Sequence, residues 1–324
     1  MKPRLNRRHF LKLAGAGAGC LAVTPSAFSQ TKKSSSGVLS YDFVNNTNGK
    51  FTDDQCFWSL DAGRSWHSFA TQPSVLCPNG NGRVYFRLGA APRNLDDFEA
   101  CWDFIEYAYG RGVWNGNTTQ VDAFCIPLTI ELGEKKLGIS ESRRKLFEAF
   151  RAEAPKEFKP CVKGDYRILS PWRAGFNKDG PNANYFHNYV EEVWEMYAKA
   201  KKTPSGNWTG EVLEGALTFT PLHGGKAVSC PRKPDTQEIL LGTGVLARNP
   251  QFCAALNRHV LADPADWKSP TLFYQAEPCN WYSKFLHQHA LAHKCYGFCY
   301  DDVSEQAAYF SGQGEKLTVA LSWD

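Results

Sequence analysis

Between residues 38 and 132, β-branched and aromatic residues cluster in short runs at 38–44, 82–88, 104–109 and 121–132, separated by turns rich in Gly, Pro and Asn. Runs of this length between turn formers predict strands, and their succession without helical periods predicts a β-sandwich. In the run from Arg83 to Leu88, polar and apolar positions alternate, so that strand has one polar face. From about residue 133 the period lengthens. Leu146, Phe147, Phe150 and Ala154 line one face of a predicted helix with Ser140 as its cap. A second helix is predicted over 184–202 from Phe186, Val190, Val193, Trp194 and Tyr197, with Lys199, Lys201 and Lys202 at the negative end of its dipole. A third starts at Asn249 with Pro250 just inside and runs through Phe252, Leu256 and Val260. A fourth covers 280–292. Strand-like pieces at 213–221 and 238–241 lie between the second and third, and 296–300 and 317–323 return to strand. The expected fold is mainly β with an α/β insertion. A sandwich from 38–132 and 295–324 brackets a mixed α/β subdomain at 133–294, with a cleft between them.

The first residues follow a different pattern. Arg7 and Arg8, then Phe10, Leu11 and Lys12, precede an uncharged Ala/Gly run at 13–23 and small residues at 27–29. This arrangement resembles a twin-arginine export signal, with Asn6 where Ser or Thr is usual. The apolar run is shorter than the ~20 residues that span a bilayer. Gly17 stands where a lipoprotein signal ahead of Cys20 has a large aliphatic residue. Residues 1–29 therefore read as a signal that directs the chain to the periplasm or the exterior, and 30–37 as a polar linker.

Composition and charge narrow the function. The chain is 43% hydrophobic and 14% aromatic, enough for a full core. Its formal net charge is +4, but residues 1–29 hold five basic and no acidic side chains, so the remainder carries −1. A near-neutral surface gives no electrostatic basis for nucleic-acid binding and suits an uncharged substrate. Ten of the eleven cysteines lie beyond the signal, an even number that favours disulfides in an exported chain. The closest spacing is Cys295 to Cys299, with no CxxC pair, which argues against zinc. His287, His289 and His293 include an i,i+4 pair, but no Glu completes a metalloprotease motif. No metal or cofactor is implied, and a monomer is expected.

The candidate chemistry lies in residues 103–127, where Glu106 and Asp122 stand on strand-like runs joined by a Gly- and Asn-rich connection. Cleaving a glycosidic bond takes one protonated carboxyl for the leaving oxygen and one ionised carboxylate for water or the anomeric carbon. Apolar surroundings keep a carboxyl protonated. Glu106, flanked by Phe104, Ile105, Tyr107 and Tyr109, is read as the acid. Asp122, preceded by Asn117, Thr118, Thr119 and Gln120, is read as the base. A simple turn at Asn115-Gly116 would place Glu106 opposite Cys125 and turn Asp122 to the other side of the sheet. A shared cleft therefore requires a bulge or longer loop between Ala108 and Thr119, which Gly110, Gly112 and Gly116 permit. Trp114 is a candidate for stacking on a sugar ring. Thr119, Asn117 and Tyr109 are candidate substrate contacts.

The segments FIEYAYG and NTTQVDAFCIPLTI resemble the corresponding pair in glycoside hydrolase family 64, bacterial β-1,3-glucanases with a thaumatin-like fold. The segments PRKPDTQEILLGTG (231–244), AALNRHV (254–260), NWYSKFLH (280–287) and YGFCYDDV (296–303) agree with it. The resemblance implies that Glu106 is a general acid and Asp122 a general base working with inversion. The implied substrate is a linear β-1,3-glucan of the laminarin or curdlan type, and the implied products are short oligosaccharides, typically pentasaccharides. Asp301 and Asp302, in the YGFCYDDV segment, are implied to border the acidic cleft, with one of them, Asp301 the candidate, lining the glucan groove. Ala108 and Gly110 stand where the family often has polar Thr and Asn, and Cys125 replaces a common Gly as an extra disulfide partner. The competing expectation is a thaumatin-like protein that binds β-glucan without cleaving it.

Overall fold

In the computed structural model, which describes residues 38–90, 95, 100–199, 203–205 and 207–324, two sheets face one another. The export signal and linker read at 1–37 lie outside the described residues. One sheet has five strands in the order Lys135–Gly138, Leu128–Leu132, Lys316–Ser322, Ser40–Asn46 and Ser74–Leu76. The other has six, in the order Tyr309–Gly312, Val113–Thr118, Trp102–Gly110, Gly80–Leu88, Cys56–Ser59 and His67–Ser68. Every neighbouring pair in these sheets is antiparallel except Ser40–Asn46 with Lys316–Ser322, which run parallel. The inward residues of both sheets form one apolar core. Tyr41 meets Tyr107 edge-on at 5.7 Å between ring centroids, and Phe43 meets Phe86 at 5.5 Å. Such aromatic pairs add to the area they bury. The run at 121–132 is split by Cys125, Ile126 and Pro127 into Ala123–Phe124 and Leu128–Leu132.

A second core gathers the helices α1 (Arg143–Glu153), α2 (His187–Lys199), α3 (Thr236–Leu241), α4 (Pro250–Asn257) and α5 (Trp281–His289). In it, Phe150 of α1 packs edge-on against Trp281 and Phe285 of α5, each at 5.0 Å. Small sheets complete it, one of them pairing Ala123–Phe124 with Arg167–Leu169.

Four local expectations are corrected. The cap of α1 is Ser142, whose hydroxyl accepts from the Lys145 N–H, not Ser140. The run at 238–241 is helical: Asp235 and Glu238 form a reciprocal capping box, and Gly242 closes the helix at φ 58°. A run of four apolar-rich residues carries no period of its own, so the caps decide it. The helix from Pro250 stops at Asn257, with His259 in the left-handed region. Residues 296–300 form no strand. The Gly297 N–H is bound by the buried Asp301 carboxylate at 2.9 Å rather than by a neighbouring chain.

The two cores do not divide at residues 132 and 294. Ala123 and Phe124 bury in the second core, while Lys135–Gly138 forms an edge of the five-stranded sheet. Cys295 lies in the second core and Tyr300 packs against it. The described residues all fall in one compact unit.

Candidate active site

The strands Trp102–Gly110 and Val113–Thr118 form a tight hairpin. Its two turn residues, Arg111 at φ 53° and Gly112 at φ 74°, adopt the positive values that a right-twisted two-residue hairpin needs. The register runs without a break from Gly110 opposite Val113 to Ile105 opposite Thr118. The connection from Ala108 to Thr119 thus contains neither bulge nor long loop, contrary to expectation. Asn115 and Gly116 lie in the strand. Gly116 is demanded by close packing, because a Cβ there would lie 2.4 Å from the Glu106 carbonyl and the Trp114 ring.

What frees Asp122 from strand alternation is the irregular backbone after Thr118. Gln120 is pinned there: its N–H donates to the Tyr296 carbonyl at 2.9 Å, and its own carbonyl accepts from the Tyr282 hydroxyl at 2.7 Å. The Asp122 carbonyl then accepts from the Ser170 N–H at 3.1 Å.

Glu106 projects from the outer face of the six-stranded sheet, its side chain 21% exposed. Across that face run Arg83, Glu106, Asn117 and Tyr309, each opposite the next in register. Arg83 donates to Oε1 of Glu106 from Nε at 2.9 Å and from Nη2 at 2.7 Å, and its guanidinium lies 4.2 Å over the Phe104 ring. Oδ1 of Asn117 is buried without a hydrogen-bond partner among the described residues. Tyr309 is exposed, and its hydroxyl donates to Asn115 Oδ1 at 3.1 Å. Asp122 is 40% exposed, and its Oδ1 accepts from Arg173 Nη2 at 2.8 Å. Arg173 in turn lies 4.2 Å over the Trp172 ring. Each carboxylate is therefore held by an arginine from a different element. Tyr296 joins the two neighbourhoods: its carbonyl holds Gln120, and Glu106 is among the charges that, after burial, raise its hydroxyl.

Several expected contacts point elsewhere. Ile105, Tyr107 and Tyr109 face the sandwich core, so of the apolar neighbours of Glu106 only Phe104 shares its face. The apolar enclosure expected around Glu106 is accordingly not found, and the Arg83 guanidinium lies against the carboxylate instead. Tyr109 accepts from the Leu39 N–H at 3.3 Å inside the core. Trp114 is fully buried and donates through Nε1 to the Tyr41 hydroxyl at 3.0 Å, so it offers no face to a sugar. Asp301 is fully buried, accepting from Arg258 Nη2 at 3.0 Å and Ser283 Oγ at 2.9 Å and pairing with His287 Nε2 at 3.0 Å. It borders no groove. Thr119 is 2% exposed. Of the expected substrate contacts, Asn117 alone stands beside Glu106 on the outer face.

Sequence reasoning missed Arg83 and Arg173. The alternation from Arg83 to Leu88 carried a signal for the first, since it placed Arg83 on a polar face. Arg173 lies 51 residues from Asp122 with no local cue. The histidines disperse: His287 to Asp301, His289 to Glu141, and His293 to the His287 carbonyl. Among the described residues one disulfide forms, Cys101 to Cys125, and eight cysteines remain thiols, so the expected wider framework is not present there.

Glu106 and Asp122 are thus partly exposed carboxylates, the side-chain type that glycoside hydrolases use in pairs. A β-1,3-glucanase family model, that of glycoside hydrolase family 64, matches residues 22–321, and the chain belongs to that family. A β-1,3-glucanase domain from Clostridium beijerinckii is similar in structure, with a TM-score of 0.78 and 26% identity over 90% of this chain and 100% of that one. The laminaripentaose-producing β-1,3-glucanase from Paenibacillus barengoltzii matches with a TM-score of 0.70 and 28% identity over 89% of this chain and 76% of its own. It has also been solved with laminarihexaose. No curated protein sequence matches.

Proposed function

We propose that this β-1,3-glucanase is exported by a twin-arginine signal and cleaves linear β-1,3-glucan internally with inversion, using Glu106 as general acid and Asp122 as general base. One observation carries the assignment. Glu106 and Asp122 are both partly exposed, one on the outer sheet face and the other on the backbone that leaves that sheet, and each is oriented by its own arginine. Both Arg83 contacts fall on Oε1 of Glu106, so Arg83 fixes the carboxyl through that oxygen. In the reaction, Asp122 takes a proton from a water whose oxygen attacks the anomeric carbon. Glu106 gives its proton to the departing glycosidic oxygen, and the new reducing end is the α-anomer. The products are short oligosaccharides, and the Paenibacillus barengoltzii enzyme is itself laminaripentaose-producing.

Incubation of the mature chain with laminarin, followed by proton NMR of the anomeric region, tests the reading. Early α-anomer signal is expected, and early β-anomer would overturn inversion. Glu106→Gln and Asp122→Asn are each expected to lower kcat by about 10²–10⁴-fold while laminarihexaose still binds. Binding by the wild-type chain without any released sugar would leave a glucan-binding protein in place of an enzyme.

A further inference from the structure

We propose that Asp103 is a positioning residue for the base: with the Cys101–Cys125 disulfide, it fastens the backbone that carries Asp122 to the strand that carries Glu106. The inference rests on the catalytic reading above. Asp103 lies three residues before Glu106 on the same strand and, by strand alternation, on the opposite face. It is 4% exposed. Its Oδ2 accepts the backbone N–H of Cys125 at 2.8 Å and of Ile126 at 2.6 Å, three and four residues after Asp122. The disulfide ties Cys125 to the residue just before that strand. Arg143 closes the arrangement, donating from Nε to the Cys125 carbonyl at 2.7 Å.

These contacts add to the bond on Asp122 itself, where its carbonyl accepts from the Ser170 N–H at 3.1 Å. A misplacement of about 1 Å in a catalytic group costs about 10²-fold in rate. Gln120 fixes the chain before Asp122, and Asp103 fixes it after. A merely structural role, in which the carboxylate balances the buried Arg167 and Arg143, predicts lost stability with kcat per folded chain unchanged, and the test separates the two.

The test is a double-mutant cycle on laminarin, with laminarihexaose binding measured by calorimetry. Asp103→Asn is expected to lower kcat by about 10–100-fold, to leave KM within about twofold, and to keep a stoichiometry of one hexasaccharide per chain. In an Asp122→Asn background, Asp103→Asn is expected to cause no further loss of the residual rate, because it acts only through that carboxylate. Three results each overturn the inference: wild-type kcat in Asp103→Asn, a fall in kcat matched by an equal fall in binding stoichiometry, or losses that multiply in the double variant. Should Asp103→Asn fail to fold, Cys101→Ser carried through the same cycle decides the question by the same criteria. An inactive Asp122→Asn beside a fully active Asp103→Asn would sink this inference alone. A wild-type chain that releases no sugar would sink the catalytic reading and this inference with it.

Discussion

A tryptophan within a functional segment says little until its neighbours are known. Trp114 sits on the strand beside Glu106, yet it points into the sandwich and donates to Tyr41. Trp114→Phe should therefore leave the KM for laminarin unchanged and cost about 0.5–1.5 kcal/mol from the lost hydrogen bond, plus whatever the smaller ring leaves unfilled. Denaturant melts and initial rates check both parts. Asp103 makes a prediction of another kind. Burial, opposed by Arg167, the two backbone N–H groups and Arg143, pushes its carboxyl up from the ordinary 3.8 to about 7. Between those values the folded chain holds a proton that the unfolded chain has lost, so this group adds stability as pH falls from about 7 toward 4. The melting temperature should climb over that range less steeply in Asp103→Asn than in the wild type. At this scale the inward facing of Trp114 and Tyr109 was not legible from their segment. Facing depends on register, and register depended on a turn at Arg111-Gly112 rather than Asn115-Gly116.

Among the elements, the segment from Cys295 to Asp301 shows how a strand-like sequence ends up without a strand. Its backbone is organised by Asp301, which holds the Gly297 N–H, Ser283, Arg258 and His287 at once. Burial alone would raise the Asp301 carboxyl, but His287 and then Arg258 outweigh it and hold it below its ordinary value. That contribution is present above the unfolded value of 3.8 and disappears as pH falls through the lower, folded one. For His287, burial opposes protonation, yet the Asp301 charge and hydrogen bond prevail and its pKa rises above 6.5. Its contribution is complete below 6.5 and is lost as pH rises through the raised value. Asp301→Asn should cost about 3–5 kcal/mol, because it leaves Arg258 buried and unpaired, and should flatten both limbs of a stability–pH curve. Strands with alternating patterns, such as Gly80–Leu88, were readable in advance because burial on one side imposes a period of two. The run at 238–241 and the stretch at 296–300 were not, because their fate is decided by a cap and by the buried Asp301, whose partners Arg258, Ser283 and His287 come from other parts of the chain.

Taken whole, the molecule couples two apolar cores through backbone that belongs to both. The boundary expected at residue 132 fails because the short strand Ala123–Phe124, one step past Asp122, is itself part of the second core. The parallel pairing of Ser40–Asn46 with Lys316–Ser322 has a consequence in time rather than in space. Ser40 donates its N–H to the Glu315 carbonyl at 2.8 Å, across a sequence separation of 275 residues. The five-stranded sheet thus cannot close until residues 316–322 have been synthesised, and the sandwich that carries Glu106 stays open to chaperones throughout translation. Contacts of such long range make folding slow. Refolding from denaturant should take roughly seconds or longer, and a chain lacking residues 316–322 should not regain cooperative unfolding, as stopped-flow fluorescence and thermal melts will show.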